Sequence, residues 1–275
     1  MQVLYHYCST AAFHSIISSK TLRLSAVRQS NDHTEGRLVT EAIRRLALKE
    51  GLGAEELARL QNLAKELEDD FEGLAFCLSQ NGDQLSQWRG YSENGSGLAI
   101  GFSRDYIDGI VDSSVDSSLE LALYQAKYDQ QQHDVAIQPL YSHLKSFLGA
   151  PQSVHAESER LRELRNREAG LLRFISMMEA FHHAFALKHS AFSEEQEWRL
   201  LHHFSWSAES PCRYQPGPGR LVPFVCSEPL DVTKTPVLEV ILGPRHRSPP
   251  ETIRNFLLQS GFLGVVVKSS CAPYR

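Results

Sequence analysis

The stretch Ser193-Glu194-Glu195-Gln196-Glu197-Trp198-Arg199-Leu200 lies between a long helical pattern and a strand-like run, Glu197 to Phe204. Side chains two residues apart on a strand share a face. Alternation therefore sets Glu195, Glu197 and Arg199 on one side and Gln196, Trp198 and Leu200 on the other. Two carboxylates and a guanidinium on one face are costly to bury and need a reason. A paired ion network on a solvated strand is one such reason. A catalytic carboxylate held by charged neighbours is the other, and both arrangements perturb titration alike.

Upstream of this stretch the helical periods run from about Asp134 to Leu148 and from Val154 to Lys188. The second carries Leu161, Leu164, Leu171, Ile175, Met178 and Phe185 as its apolar stripe. Its Arg and Glu residues read as a solvated face with pairs four apart. Further back, Leu121 to Tyr128 reads as a strand pairing with Leu98 to Phe102, and Gly73 to Ser79 as a buried strand. Helices are expected near Thr34 to Leu48, capped by Asp32, and over Ala54 to Asp69. The chain opens with a short strand, Val3 to Cys8, then a helix, Ala11 to Ser19, capped by Ser9 or Thr10, then a strand at Leu22 to Ser25. Downstream, Leu221 to Cys226, Val237 to Leu242 and Val265 to Lys268 read as strands. A helix, Glu251 to Gln259, precedes the last of them. These patterns predict one α+β domain over 1–275. It has a mainly antiparallel sheet and long helical insertions at about 34–70 and 134–189.

Composition narrows the function classes. The net charge of -5 argues against general nucleic-acid binding, which shows a basic surplus. No apolar run approaches the roughly 18 residues of a membrane span, so no membrane partner is expected. The N-terminus lacks a basic segment followed by an apolar one, which predicts no signal peptide. Five scattered cysteines without a C-x-x-C pair fit reduced thiols in a cytoplasm. His182-His183, His189 and His202-His203 complete no metal-ligand spacing, so no metal is expected. The loop Ser92 to Gly97 has no phosphate-cradle motif and precedes a strand, which excludes the P-loop and Rossmann readings. Beside that loop Trp88, Arg89 and Tyr91 cluster. They either anchor the loop or wall a pocket in which rings stack on a heterocycle and Arg meets phosphate. His6 sits in the first strand, either as a satisfied polar residue or as a ligand contact.

Three segments together carry a resemblance. Leu4-Tyr5-His6-Tyr7-Cys8-Ser9 is followed by Phe13, Ile16-Ile17, Leu22-x-Leu24-Ser25, Asn31-Asp32 and Glu35. Phe76-Cys77-Leu78-Ser79, Leu85 to Tyr91 and Gly97 to Phe102 form a central signature. Phe192, Glu195-x-Glu197-Trp198-Arg199, Ile241 to Pro244 and Pro273-Tyr274-Arg275 close it. In these the chain resembles the DUF2971 family, whose name carries no established activity. More distantly, the opening resembles the first element of ADP-ribosyltransferases of the His-Tyr-Glu type. That resemblance implies a transferase-like core and NAD as a substrate. It also implies cleavage at the nicotinamide–ribose bond, with ADP-ribose passing to protein, nucleic acid, a small molecule or water. His6, Tyr91 and Glu197 stand where those enzymes hold ribose, cover nicotinamide and assist cleavage. Glu195 stands at the first position of an E-x-E pair. Tyr7, Ser9, Trp88, Arg89, Arg199 and Arg275 would contact the nucleotide, the last two arginine positions on the strand and at the chain end. A bacterial toxin or defence effector is the implied setting. The alternative is a non-catalytic nucleotide-sensing or protein-binding module, in which Glu195 and Glu197 are structural.

Overall fold

The computed structural model describes residues 2–29, 35–115, 119–148, 182–217 and 219–274. Its centre is a ten-stranded sheet. The strands are β1 (Val3–Cys8), β2 (Arg23–Ala26), β3 (Phe71–Ser79), β4 (Leu98–Ser103) and β5 (Ala122–Gln125). They continue with β6 (Glu197–Ser205), β7 (Arg213–Gly217), β8 (Arg220–Cys226), β9 (Val237–Leu242) and β10 (Val266–Ser269). The main path runs β10-β9-β4-β1-β3-β2-β8-β7, with β6 on β3 and β5 on β6. All these pairings are antiparallel except β10 on β9. The molecule is therefore α+β with a mainly antiparallel sheet, as the periodicities predict.

Helices cover both faces. On one side α1 (Thr10–Ser19) brings Phe13, Ile16 and Ile17. There α5 (Arg104–Ser114) adds Ile107 and α7 (Pro250–Gln259) adds Ile253 and Leu257. These pack with Leu4, Leu24, Phe76, Ile100, Phe102 and Leu200 from the strands. On the other side α2 (Glu35–Lys49), α3 (Ala54–Asp70) and α6 (Gln130–Lys145) form a second core with Phe71, Ala75, Phe185 and Leu201. A short helix, α4 (Leu85–Tyr91), buries Trp88 against Tyr7, Ala99 and Ile241.

Strand β3 explains where a cleft can open. One of its edges pairs with β6 along its whole length, Phe71↔Ser205 to Ser79↔Glu197. The other edge meets β1 only at Tyr5↔Ser79 and β2 only at Ser25↔Ala75 and Ala26↔Leu74. The sheet splits between β1 and β2, and the backbone of Phe76 to Leu78 faces the gap.

Several expectations need correction. β5 pairs with β6, not with Leu98 to Phe102. The edges of β4 are already taken by β1 and β9, and α5 carries the chain away. Glu195 does not extend the strand. It closes a 3-10 turn, Ser190–Glu195, and Gln196 adopts a left-handed φ of 43° before β6 begins. Leu85–Tyr91 is helical although seven residues are too few to show a periodic stripe. Ser9 caps α1, its Oγ accepting from the Ala12 N–H at 3.0 Å. The Asp32 cap and most of the helix expected over Val154 to Lys188 lie outside the described residues.

Candidate functional site

The split in the sheet holds a cavity of about 370 Å³, within the range of small-molecule sites. β1 contributes Tyr5, His6 and Tyr7, and β3 contributes Ala75 to Leu78. α1 presents Ala12, Ser15 and Ser19. α4 contributes Gln87 and Tyr91, one turn apart, and the turn into β6 contributes Glu195 and Glu197.

His6 and Glu197 start on opposite faces of the sheet. His6 pairs with Ile100 and Glu197 with Ser79, while Tyr5 lies opposite Ser79. Both side chains reach the same cavity because β1 leaves β3 after one pair. The His6 ring stacks on Phe76 at 4.0 Å between centroids. Its Nδ1 lies 2.8 Å from the Cys77 carbonyl. A carbonyl only accepts, so Nδ1 carries the proton and Nε2 keeps its lone pair. Burial lowers the His6 pKa to about 4, against which the Cys77 hydrogen bond pulls weakly upward. The imidazole is thus a neutral acceptor at pH 7.

Behind Tyr91 lies a buried charge network. The Tyr91 hydroxyl donates to Glu195 Oε1 at 2.9 Å. Lys188 Nζ donates to Glu195 Oε2 and, at 2.8 Å, to Glu197 Oε2. Arg199 donates to Glu197 Oε2 at 3.1 Å and to the Phe185 carbonyl at 2.6 Å. All four charged residues are buried, and two carboxylates balance two cations. Burial alone would raise the Glu197 pKa, but Arg199 and Lys188 bring it down to about 2. Burial would lower that of Lys188, and Glu197, Tyr91 and Glu195 overcome it and raise it. Burial likewise raises the Tyr91 pKa. The Cys77 thiol lines the cavity beside Glu197, and desolvation inside the cleft, followed by that carboxylate, pushes its pKa up and keeps it protonated. Backbone contacts fix the frame: the Tyr128 hydroxyl accepts from Glu197 N at 2.8 Å, and Ser79 Oγ donates to the Glu195 carbonyl at 2.7 Å.

The structure brings His6, Tyr7, Tyr91, Glu195 and Glu197 to one cavity. It places other candidates elsewhere. Trp88 is fully enclosed, edge-on to Tyr7, its Nε1 donating to Asp83 at 2.7 Å. Arg89 is exposed and lies over the Tyr274 ring at 5.5 Å. Ser9 is the α1 cap, and Arg199 stands behind Glu197 rather than on the cavity wall. Arg275 lies outside the described residues. Two residues were not singled out by pattern. Lys188 joins both carboxylates but reads in sequence as the polar end of a helix. Gln87 is buried against the cavity, and its Nε2 has no hydrogen-bond partner among the described residues. A buried unpaired amide donor is unusual and suits a ligand acceptor.

The His182 and His203 rings meet at 3.6 Å between centroids, away from the cavity lining. Among the described residues no group of three or more His, Cys, Asp or Glu is arranged to hold a metal ion. No described helix is long and apolar enough to cross a membrane.

The geometry is that of an α+β protein with a ligand-sized cleft in a split sheet, backed by a buried carboxylate pair. A family model described as "Protein of unknown function (DUF2971)" matches residues 87–200, from Gln87 through Leu200, and supports that family over this segment. No curated protein and no solved structure matches the chain significantly.

Proposed function

We propose that the cleft binds NAD and that the protein transfers or hydrolyses its ADP-ribosyl group. One observation carries the reading: His6, Tyr91, Glu195 and Glu197, far apart in sequence, line one cavity. In this reaction the bond from ribose C1′ to the nicotinamide nitrogen breaks, and its electron pair leaves with nicotinamide. The ribose passes through an oxocarbenium-like state, as in glycoside hydrolysis. Glu197, ionised at any working pH, supplies the fixed negative charge that state needs in a water-poor cleft. Neutral His6 offers Nε2 as acceptor for a ribose hydroxyl. Tyr91 offers a ring for nicotinamide, and its hydroxyl is held by Glu195. Glu195 orients or deprotonates the acceptor, whether protein, nucleic acid or water. The unpaired Gln87 amide suits a carbonyl or phosphate oxygen of the dinucleotide. A cytoplasmic toxin or defence effector accords with this chemistry.

A second reading has its own support. Lys188 and Arg199 balance Glu195 and Glu197, so the carboxylates serve equally well as a structural brace beneath a non-catalytic nucleotide-sensing pocket. Calorimetry with NAD tests the shared premise. Wild type should bind, and Ser15→Trp, which fills the cleft from an exposed helix face, should abolish binding. Binding unaffected by Ser15→Trp would move the nucleotide out of this cleft. Nicotinamide release then separates enzyme from sensor.

A further inference from the structure

A second hollow, of about 420 Å³, lies at the N-terminal end of α1, where Thr10 faces the turn after β9. Arg245, His246 and Arg247 line it, with Ser96 and Glu93 opposite. Neither arginine forms an ion pair among the described residues, although Glu93 shares the hollow. Arg245 rests over the Tyr274 ring at 5.9 Å, and Arg247 is exposed.

The walls are rigidly built. Gly243 N donates to the Gly97 carbonyl at 2.9 Å, and Arg245 N to the Gly95 carbonyl at 2.8 Å. The two turns approach so closely that a Cβ on Gly243 would stand 2.4 Å from the Gly95 oxygen. Ser92 Oγ ties the same loop to the Cys8 carbonyl at 3.0 Å. Glu93 and Asn94 hold left-handed φ values of 48° and 56° in this loop. Such strain in non-glycine residues persists only where the surroundings enforce it, and it concentrates at functional sites.

The polar groups have a shared sense. Ser248 N donates to His246 Nδ1 at 3.2 Å, so His246 carries its proton on Nε2. That N–H has only Thr10 Oγ1 within reach, at 3.5 Å, the outer limit of a hydrogen bond. Two exposed planar guanidinium donors, an under-used imidazole N–H and the Thr10 hydroxyl line one space, while the Ser96 hydroxyl donates to the Glu93 carbonyl at 2.8 Å and braces the loop. Arginine forks match the oxygens of phosphate bidentately.

We propose that this hollow is a phosphate-binding site, distinct from the cleft in the split sheet and independent of the NAD reading. Its ligand is a phosphate group, free or carried by a mononucleotide. Glu93 acts as a gate on affinity, since its charge opposes the anion.

The test is calorimetric titration of the full chain with inorganic phosphate and, separately, with 5′-AMP, at ionic strength matched with chloride. Saturable phosphate binding is expected, weakened at least tenfold in Arg247→Ala and further in Arg245→Ala/Arg247→Ala. Glu93→Gln should tighten it severalfold. 5′-AMP binding more tightly than phosphate, with the same loss in Arg247→Ala, would identify a nucleotide as the source; equal affinities would identify free phosphate. Thermal melts should show Arg247→Ala folded as wild type, because its side chain is exposed. No saturable phosphate or 5′-AMP binding in wild type, or unchanged affinity in the folded Arg247→Ala and Glu93→Gln proteins, overturns the proposal.

Discussion

The two ends of β6 bury ionisable groups in opposite ways. At the start, Glu197 and Arg199 stay charged, because Lys188 joins Glu195 and Glu197 on one side and Arg199 bonds Glu197 on the other. At the far end, the His203 ring meets those of His182 and His202, His183 lies against Tyr124, and these imidazoles lose their charge instead. Burial and neighbouring imidazoles lower the pKa of His182 to about 4 and that of His203 to about 3. Burial also lowers those of His183 and His202. The lesson is physical: a buried carboxylate keeps its charge only beside a cation, whereas imidazole can escape the desolvation cost by shedding a proton. The charged end adjoins the cleft, and the neutral end packs against the helical core.

The largest expected break in this contrast is Lys188→Met. It leaves two buried carboxylates sharing one guanidinium, and removing one partner of a buried pair costs about 3–5 kcal/mol. Urea unfolding measures this, and Lys188→Met/Glu195→Gln should recover part of the loss. A Lys188→Met protein as stable as wild type would show that the network does not need its second cation. Trp88→Ala, at the enclosed ring behind the cleft, should cost a similar ~3–5 kcal/mol. A smaller cost would return Trp88 to the list of ligand contacts.

At the imidazole end, Gly73 pairs with His203, and a Cβ there would stand 2.4 Å from the Phe185 ring. Gly73→Ala should destabilise by about 1–3 kcal/mol through overpacking. The two ends should also part in acid. A histidine with a depressed folded pKa loses nothing while both states are neutral. As pH falls below 6.5 the unfolded chain takes the proton first, so stability drops until about pH 4 for His182 and pH 3 for His203. Glu197 contributes stability above its unfolded pKa of 4.5, lost as pH falls toward about 2. His182→Asn/His203→Asn should therefore flatten the stability slope just below pH 6.5 and leave the steeper fall below 4.5. An unchanged slope would show that the imidazoles are not buried neutral.

How legible was this in the sequence? The pairing of Glu197 with Arg199 was, because opposite charges two apart on a strand must share a face. Lys188 was not, since an irregular segment delivers it and no period marks it. The strands of β1, β3, β4 and β9 were legible from apolar runs. The split of the sheet was not, because it depends on where β1 and β2 leave β3, a long-range matter. Trp88 shows the same limit: composition placed an aromatic near a glycine-rich loop, but only the α4 register turned Gln87 and Tyr91 to the cleft and Trp88 to the core.

The most direct test of the central claim compares nicotinamide release from NAD by wild type and Glu197→Gln. The substitution keeps the shape and two hydrogen-bonding atoms while removing the charge. Wild type should release nicotinamide. Glu197→Gln should bind NAD within about tenfold of wild type, or about 1.4 kcal/mol, and turn over roughly 100-fold or more slowly, the scale of losing one electrostatic stabiliser. Equal turnover in the two proteins would contradict a catalytic Glu197, and wild type that binds NAD without releasing nicotinamide would make the cleft a sensor.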